Sequence, residues 1–440
     1  MLIQFRVENH RSLRDEQVLS LAGSDKAGAH VLRADGVGEA IVPVAAIYGA
    51  NASGKSNVLA ALAFLRGAVV DSQRQWEVEG TPQDPFRLSG KAKEPSLYEV
   101  DIAVDGVRYR YGFQLSASRV EEEWLFAWPH GRKAVWFERD GDRFEFGKTL
   151  HGENEAIRSL TRPNSLFLSA AAQNNHVTLL PIFRYFAAWR FSLTQRLGSF
   201  VGGGLSSELV RRLSVHGDDE DRSAILQLLR GADTGILDVR VELPDLAFSQ
   251  LTSQAERLGT LPAKGERDPW AGISVYRTIH ALSGQTVLFR HRAAEDGDAW
   301  LPLALESAGT LALLELAPHV IDTLRSGGLL CIDELEASLH PSLALRLVQM
   351  FNDPQQNLKN AQLVFATHDT NLLGSIVGEP ALLRDQIWFT EKDDTGGTHL
   401  YPLTDFHPRK EENLERGYLQ GRYGAVPFLG DLAGKADEEP

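Results

Sequence analysis

The sequence predicts an α/β protein with a β-rich antiparallel flank and a mainly helical insertion. An unbroken apolar run over residues 42–48 stops at Gly49, which is typical of a strand buried on both faces of a parallel sheet. Short alternating stretches between residues 95 and 148 indicate antiparallel hairpins instead. From Glu306 onward, helix and strand patterns alternate again. We therefore expect one α/β unit assembled from both ends of the chain.

These patterns divide the chain into four expected segments. Residues 1–150 would form an N-terminal lobe with the antiparallel flank, and residues 151–300 a mainly helical insertion that acts as an arm or lid. Residues 301–430 would form a C-terminal lobe, and residues 431–440 a solvated acidic tail. The sequence has neither an internal repeat nor a sustained heptad pattern, so a long coiled-coil arm is not expected.

Each element has its own justification. Two strands around a turn are expected at residues 2–7 and 17–21, and a helix rich in Leu and Ala at residues 57–70. Turn pairs such as Asp105-Gly106 and Asp140-Gly141 separate the alternating stretches, which are residues 98–104, 109–113, 134–137 and 144–146. Residues 153–232 look mainly helical, and the Gly/Pro/charge-rich residues 259–272 are expected to form a mobile loop.

Composition restricts the classes of function. The chain has 440 residues, of which 43% are hydrophobic, and a formal net charge of −14. Proteins that coat nucleic acid usually carry a basic excess, which is missing here. No apolar run is long enough to cross a bilayer and no signal peptide is recognisable, so no membrane association is expected. The single cysteine, Cys331, rules out an internal disulfide framework and fits a reducing compartment, so we expect a cytoplasmic protein.

A glycine-rich turn lies between the first apolar strand and the helix that follows it. It satisfies the pattern G-x-x-x-x-G-K-[ST] as Gly49-Ala50-Asn51-Ala52-Ser53-Gly54-Lys55-Ser56. The glycines allow successive backbone N–H groups to face phosphate oxygens at a helix N-terminus. Lys55 would reach the β- and γ-phosphates, and the Ser56 hydroxyl would ligate Mg²⁺. The pattern therefore predicts a site for ATP and Mg²⁺.

Two carboxylates follow a second apolar strand, in Gly328-Leu329-Leu330-Cys331-Ile332-Asp333-Glu334. Ligands bind at the carboxyl ends of the strands in open α/β sheets. Asp333 would hold Mg²⁺, directly or through water, and Glu334 would polarise the attacking water. The alternative is an exposed acidic turn after a core strand, which the presence of the phosphate loop disfavours.

A third apolar strand ends in a histidine, in Gln362-Leu363-Val364-Phe365-Ala366-Thr367-His368. A histidine at this edge could donate to the γ-phosphate or to the attacking water, and so respond to the terminal phosphate. A lone histidine is more often structural, but its position at a strand end favours a functional role for His368.

These residues resemble ABC-type ATPases of the branch that contains the SMC and OLD (overcoming lysogenization defect) proteins. The resemblance rests on Asp333-Glu334, on Ala337-Ser338-Leu339-His340-Pro341 and on Thr367-His368. Glu306-Ser307-Ala308-Gly309-Thr310 resembles a degenerate signature motif, with Ala308 where a second glycine is common. Asn9-His10-Arg11-Ser12-Leu13 resembles the N-terminal "N-F-R-S" segment, with His10 in place of Phe. The match covers roughly residues 1–70 and 300–430 and is weak in between.

The resemblance implies an ABC/SMC-like P-loop ATPase head that dimerises head to head around two ATP molecules, singly or in multiples of the dimer. One chain would supply the phosphate loop, Asn57, Arg11, Asp333, Glu334 and His368, and the other chain Ser307, Ala308, Gly309 and Thr310. A helix N-cap is the alternative explanation of Ser307 to Thr310. A glutamine that links the metal to the arm is also implied, and Gln73, Gln75 and Gln83 remain as candidates.

Partners follow from the same resemblance. The segment 413–427 resembles a narrower bacterial group, whose members pair with RloB-like or other TOPRIM-type nucleases in phage-defence and abortive-infection systems. The residues after His368 are too few for a nuclease domain, so a separate effector is expected, with DNA or a phage component as trigger. An SMC-like DNA-repair ATPase acting on DNA ends is the alternative, and the motor of a membrane transporter is disfavoured.

One segment bears on direct nucleic-acid binding. Aromatic and basic residues interleave over Arg184-Tyr185-Phe186, Trp189-Arg190 and Arg196, as they do where proteins stack on bases. The same pattern predicts an amphipathic helix with its aromatic side chains inside and its arginines outside. The second interpretation is favoured.

Overall fold

The computed structural model describes residues 1–23, 31–32, 38–193, 205–214, 219–232, 234–242, 286–292, 298–337, 339–374, 381–409 and 412–426. Its strands, numbered in chain order, are β1 (Leu2–Glu8), β2 (Gln17–Ser20), β3 (Ala22–Gly23), β4 (Ala40–Ile41), β5 (Val44–Gly49), β6 (Ser96–Val104), β7 (Val107–Leu115), β8 (Val120–Trp128), β9 (Ala134–Asp140), β10 (Arg143–Phe146), β11 (Arg190–Ser192), β12 (Ile236–Glu242), β13 (Thr286–Arg292), β14 (Asp298–Pro302), β15 (Leu329–Ile332), β16 (Gln362–Ala366), β17 (Ile387–Lys392) and β18 (Thr398–Pro402).

Helices connect these strands. The α-helices of the described residues are α1 (Lys55–Gln75), α2 (Asn154–Leu160), α3 (Phe167–Gln173), α4 (Leu180–Ala187), α5 (Ser207–Leu213), α6 (Asp219–Gly231), α7 (Ala308–Ser326), α8 (Pro341–Asn352) and α9 (Leu414–Leu419). The chain divides into two compact units, one made of Met1–Thr194 with Asp322–Pro440 and one made of Gln195–Ile321. No helix of the described residues is both long enough and apolar enough to span a membrane.

A mixed sheet forms the centre of the first unit. Its strand order is β11-β15-β16-β5-β17-β18, and all pairs are parallel except the last. Every residue of β5, β15 and β16 is buried, as the unbroken apolar runs predicted. Because these strands are parallel, their carboxyl ends meet at one edge of the sheet. The phosphate loop, Asp333 and His368 follow three of these ends.

An antiparallel sheet accompanies the central sheet, with the order β10-β9-β8-β7-β6-β1-β2. It confirms the predicted flank and hairpins, and it adds one strand that the sequence analysis missed, β8. The run Glu121-Glu122-Glu123 hides this strand, since it interrupts the apolar alternation. Glu123 nevertheless faces the core and is fully buried.

Helices of the first unit pack between and beside the sheets. α1 packs against α3 and α4, so the helices between Asn154 and Ala187 belong to the first unit rather than to the insertion expected from residue 151 onward. The helix expected around Arg184 ends at Ala187, and Arg190 begins the short strand β11. Phe186 and Trp189 are buried and Arg184 is exposed, as expected for an amphipathic segment with its aromatic residues inside. Arg196 lies outside the described residues.

The second unit is a smaller α/β assembly. β12, β13 and β14 form an antiparallel sheet, and α5 and α6 contact each other and β12. Arg222 on α6 bonds to the Asp238 carboxylate of β12 at 2.7 Å. The described part of this unit therefore contains a sheet as well as the expected helices. The loop predicted over residues 259–272 and the tail over residues 431–440 lie outside the described residues.

Candidate nucleotide-binding site

The loop between β5 and α1 has a conformation that its glycines allow. Gly54 precedes the first residue of α1 with φ of 113°, a region that L-residues rarely adopt. A Cβ atom at Gly49 would lie 2.5 Å from Oγ1 of Thr390, so the loop could not pass this strand with a larger residue. Ala52, at the outer part of the loop, also has a positive φ of 61°.

Lys55 lies under this loop. Its Nζ donates to the carbonyl oxygens of Gly49 at 2.8 Å and of Ala50 at 3.0 Å, and so closes the loop around its own ammonium group. Burial lowers the pKa of Lys55 to about 8, while the negative charges of Asp333, Glu336 and Glu334 oppose this shift. The group thus remains largely protonated at pH 7, held among carbonyl oxygens and carboxylates.

The backbone of the loop has free donors. No described residue accepts a hydrogen bond from the N–H groups of Gly54, Lys55 or Ser56. These groups are at the N-terminus of a 21-residue helix, where the helix dipole also favours a negative charge. Free N–H groups, a positive helix end and a buried ammonium together fit the phosphate groups of a nucleotide.

Ser56 and Asp333 come together although 277 residues separate them. The Ser56 hydroxyl donates to Oδ1 of Asp333 at 3.0 Å, and the carboxylate is 7% exposed. Mg²⁺ is commonly bound by one or two protein oxygens and by substrate phosphates, because it keeps an octahedral shell. Among the described residues no cluster of three or more His, Cys, Asp or Glu side chains could hold a metal without such help. The pair therefore fits a magnesium ion that arrives with a nucleotide.

Glu334 follows Asp333 in an unusual backbone conformation. Its φ is 53°, so the chain turns sharply as β15 ends. Its side chain is half-buried, and no hydrogen bond to it from the described residues is present. A carboxylate that no described residue engages, one residue after the Asp333 carboxylate, has oxygens available to water.

His368 lies on the turn after β16. The pKa of His368 is lowered by partial desolvation and by the positive charge of Lys55, against the opposing charges of Glu336, Glu334 and Asp333. The imidazole is therefore neutral near pH 7 and can donate from one nitrogen and accept with the other. Its backbone N–H donates to Oε1 of Glu336 at 2.6 Å. The structure thus brings Lys55, Ser56, Asp333, Glu334 and His368 to one edge of the central sheet.

Two threonines that the sequence analysis did not single out support the loop. The Ser53 hydroxyl bonds to the Thr390 hydroxyl at 2.6 Å, and Thr398 donates to the Ser53 carbonyl at 2.8 Å. The Ser12 hydroxyl contacts Thr398 at 2.7 Å and accepts from the Asn57 amide at 2.6 Å. The strands β17 and β18 thereby connect the loop to the N-terminal segment. Three of these four contacts span more than 300 residues, so no local pattern indicates them.

Arg11 is adjacent to this network, but its side chain points to another partner. Its Nε donates to the Asp84 carboxylate at 2.8 Å, and its φ is 50°. Ser12, the next residue, makes the contact to Asn57. Arg11 therefore lies one residue from the loop network, with its guanidinium paired to Asp84.

The three glutamines that are candidates to link the metal to the arm form hydrogen bonds with groups away from the Ser56–Asp333 pair. Gln73 and Gln75 are in the last turn of α1, roughly 27 to 30 Å along the helix from Lys55. The Gln73 amide bonds to Ser165 and to the Leu160 carbonyl, and Gln75 bonds to Asp71. Gln83 donates to the Glu94 carbonyl and to Ser96. Helix length excludes Gln73 and Gln75 from a contact with the Ser56–Asp333 pair in the same chain.

The segment that resembles a signature motif lies in the second unit. Ser307 accepts from the Thr310 backbone N–H at 3.1 Å and contacts its hydroxyl at 2.9 Å, so Ser307 caps α7. Ala308 and Gly309 form the first turn, and both Ser307 and Ala308 are exposed. Glu306, one residue before, accepts a hydrogen bond from Nε2 of His291 at 2.7 Å. Ser307 therefore acts as a helix N-cap, which is the alternative that the sequence left open. The N-terminus of α7 that it caps is exposed.

Comparisons with known proteins give a family and several similar structures. No curated protein matches the chain. Three similar solved structures are the SMC head domain from Thermotoga maritima, the Smc head domain with an extended coiled coil bound to the C-terminal domain of ScpA derived from Pyrococcus furiosus, and the Smc head domain with a coiled coil and joint derived from Pyrococcus yayanosii. Their identities to this chain are 15%, 14% and 12%, and their TM-scores are 0.39, 0.39 and 0.35. The matches cover 91%, 92% and 93% of this chain and 98%, 97% and 100% of those chains.

A family model matches residues 44–374, which is well over half of the chain and includes the phosphate loop, Asp333, Glu334 and His368. The chain belongs to the family described as "AAA domain, putative AbiEii toxin, Type IV TA system".

Proposed function

We propose that this chain is a Mg²⁺-dependent ATPase, which hydrolyses ATP between two copies of itself and thereby controls a separate effector. The observation that carries the proposal is the meeting of the phosphate loop with Asp333, since the Ser56 hydroxyl lies 3.0 Å from that carboxylate. The family supports the coarser statement that the chain contains an AAA ATPase domain.

Each residue would have one task in hydrolysis. The N–H groups of Gly54, Lys55 and Ser56 and the Lys55 ammonium would bind the phosphates and orient the terminal one. Ser56 and Asp333 would hold Mg²⁺, whose charge offsets the charge of the β- and γ-phosphates. Glu334, whose side chain has no hydrogen bond from the described residues, would accept a proton from the attacking water. His368, neutral at pH 7, would donate a hydrogen bond to the γ-phosphate.

The second copy would contribute the exposed N-terminus of α7. Ser307, Ala308, Gly309 and Thr310 would approach the γ-phosphate bound by the first copy, where the helix dipole favours negative charge. The N–H groups of Ala308 and Gly309, for which the described residues provide no acceptor, support this role. ATP would then stabilise the dimer, and hydrolysis would release it.

The central test is size by light scattering, with and without Mg²⁺ and ATP, on the wild type and on Glu334→Gln. We expect the variant to bind ATP, to lose at least about 100-fold in hydrolysis, and to accumulate as a dimer or a multiple of one. Glu122→Gln, which changes an exposed carboxylate on β8, is the matched control and should behave as the wild type. Normal hydrolysis by Glu334→Gln, or a monomer at saturating ATP, would refute the proposal.

The biological setting that we propose is a bacterial anti-phage system, with this chain as the sensor or regulatory subunit. The family description refers to a toxin and a toxin–antitoxin system, which favours a toxic effector as partner. A nuclease of the TOPRIM or RloB-like kind is one such effector. An adjacent nuclease or toxin gene, and effector toxicity that depends on Glu334, would support this setting; an adjacent permease gene would contradict it.

A further inference from the structure

Glu336 is a third carboxylate at the site, two residues after Glu334, and it differs from the other two in its contacts. Its Oε2 accepts from the Thr367 hydroxyl at 2.6 Å, and its Oε1 accepts from the His368 backbone N–H at 2.6 Å. Both oxygens are therefore engaged with the turn that follows β16. Such a carboxylate is not free to activate water, whereas Glu334 is.

The same contacts determine the backbone at His368. Thr367 also donates its N–H to the Ile47 carbonyl at 3.1 Å, and its hydroxyl accepts from the Asp369 N–H at 2.9 Å. Leu335, next to Glu336, donates to the Ala366 carbonyl at 3.1 Å. The turn after β15 and the turn after β16 are thus joined by both main chain and side chain.

The imidazole itself has no comparable support. No hydrogen bond to the His368 ring comes from the described part of the chain, and the residue is exposed. The backbone from which the ring projects therefore fixes the position of its Cβ atom, and so the region that the imidazole can reach. Hydrogen bonds to a charged acceptor are about twice as strong as neutral ones, so Glu336 is the strongest constraint on that backbone.

We infer that Glu336 is a positioning residue, which holds the Thr367–His368 backbone so that the imidazole of His368 is aimed at the γ-phosphate. This inference rests on the proposed ATP hydrolysis. Glu336 would act only through His368 and would take no proton itself. Misplacing a reacting group by about 1 Å costs on the order of 100-fold in rate, which sets the size of the expected effect.

The experiment compares Glu336→Ala, Glu336→Gln, His368→Ala and the double variant Glu336→Ala/His368→Ala, with kcat, KM for ATP and urea unfolding measured for each. Glu336→Ala should lower kcat about 10- to 100-fold and leave KM within about threefold. Glu336→Gln keeps an oxygen for the His368 N–H and an amide for Thr367, so it should restore kcat to within about threefold. In the His368→Ala background, Glu336→Ala should cause no further loss.

Glu412→Ala is the matched control. Glu412 also accepts from one backbone N–H, that of Arg409 at 3.0 Å, and from one hydroxyl, that of Tyr423 at 2.6 Å. We expect its kcat to equal that of the wild type. Thr367→Val, which removes one contact of Glu336 with little change in volume, is the second variant and should lower kcat about 3- to 10-fold.

Two results would overturn the inference. One is a loss of kcat from Glu336→Ala that is equally large with and without His368, and the other is unchanged kcat in Glu336→Ala and Thr367→Val. If the wild type hydrolyses ATP and Glu334→Gln does not, such results would contradict the inference alone. If Glu334→Gln hydrolyses ATP normally, the proposed function fails first.

Discussion

Two groups of ionisable residues in the first unit differ in how completely their hydrogen bonds are satisfied. In the antiparallel sheet, Glu123 accepts from the Tyr111 hydroxyl at 3.0 Å and from the N–H groups of Phe167 and Leu168 at 2.6 and 3.1 Å. Arg139, 3.6 Å from Glu123, donates to the carbonyl oxygens of Gly141, Ser165 and Pro163. Every strong donor and acceptor of this pair thus has a partner within the fold.

At the carboxyl edge of the parallel sheet, several donors and acceptors have no partner among the described residues. Lys55 donates only to the loop carbonyls, while the N–H groups of Gly54, Lys55 and Ser56 and the Glu334 carboxylate have no hydrogen bond with the described residues. Buried polar groups are normally satisfied, and several unsatisfied ones grouped at a helix N-terminus fit an external ligand. The difference shows that burial of charge alone does not identify a functional site; the decisive feature is unused hydrogen-bonding capacity.

The sharpest test of the satisfied pair is Glu123→Ala. Burial raises the pKa of Glu123, and Arg139 and the backbone donors oppose the shift. Removing the carboxylate would leave a buried guanidinium without its counterion, which costs about 3 to 5 kcal/mol of unfolding free energy. We expect urea unfolding to show this loss while the ATP affinity of the folded fraction is unchanged. Glu122→Ala, which changes the exposed neighbouring residue, should lower the free energy of unfolding by less than about 1 kcal/mol. An equal loss in Glu122→Ala and Glu123→Ala would contradict the comparison.

At the open site, Lys55→Ala should affect binding and spare stability. The loss of a charged donor to phosphate should weaken the binding of ATP about 100-fold, which is equivalent to about 3 kcal/mol of binding free energy. Stability without ATP should change by less than about 1 kcal/mol, because desolvation of the ammonium offsets its bonds to Gly49 and Ala50. Calorimetric titration and melting curves with and without ATP would measure both effects. Wild-type affinity in this variant would show that the loop is not the nucleotide site.

His10 is intermediate between the two groups, since its Nδ1 bonds to the Tyr98 hydroxyl at 2.8 Å and its Nε2 has no partner among the described residues. Burial, and to a smaller extent Arg11, lowers the pKa of His10 from 6.5 to about 4. Unfolding therefore takes up a proton between these pH values. The contribution of His10 to stability is complete above about pH 6.5 and falls as the solution is acidified towards pH 4.

His10→Phe should remove this dependence. Between pH 7.5 and pH 5, the free energy of unfolding of the wild type should fall by about 2 kcal/mol more than that of the variant. This value follows from 1.36 kcal/mol per pKa unit. Urea unfolding at both pH values measures the difference, and the subtraction cancels groups that titrate alike in both proteins. A difference that does not change with pH would show that His10 is not held neutral by the fold.

The predicted fold, a P-loop ATPase head with an antiparallel flank, is confirmed. It could be predicted because the sequence patterns that indicate it are local. Unbroken apolar runs predict β5, β15 and β16, and parallel pairing then brings the residues after them to one edge. Features that depend on distant contacts could not be predicted. β8 was missed because the burial of Glu123 depends on Arg139 and on the N-terminus of α3. Glu336, Thr390 and Thr398 were missed for the same reason, since their partners are distant in the sequence.

The place of β5 in its sheet has a consequence for biosynthesis. β5 lies between β16 and β17, and its residue Tyr48 accepts a hydrogen bond from Thr390, 342 residues further along the chain. On the ribosome, this wholly apolar strand emerges long before either neighbour exists, with its backbone unpaired and prone to association. Pairing over such a separation in sequence is slow. A nascent chain therefore carries the complete phosphate-loop sequence through more than 300 further residues of synthesis before β17 completes the sheet beside it.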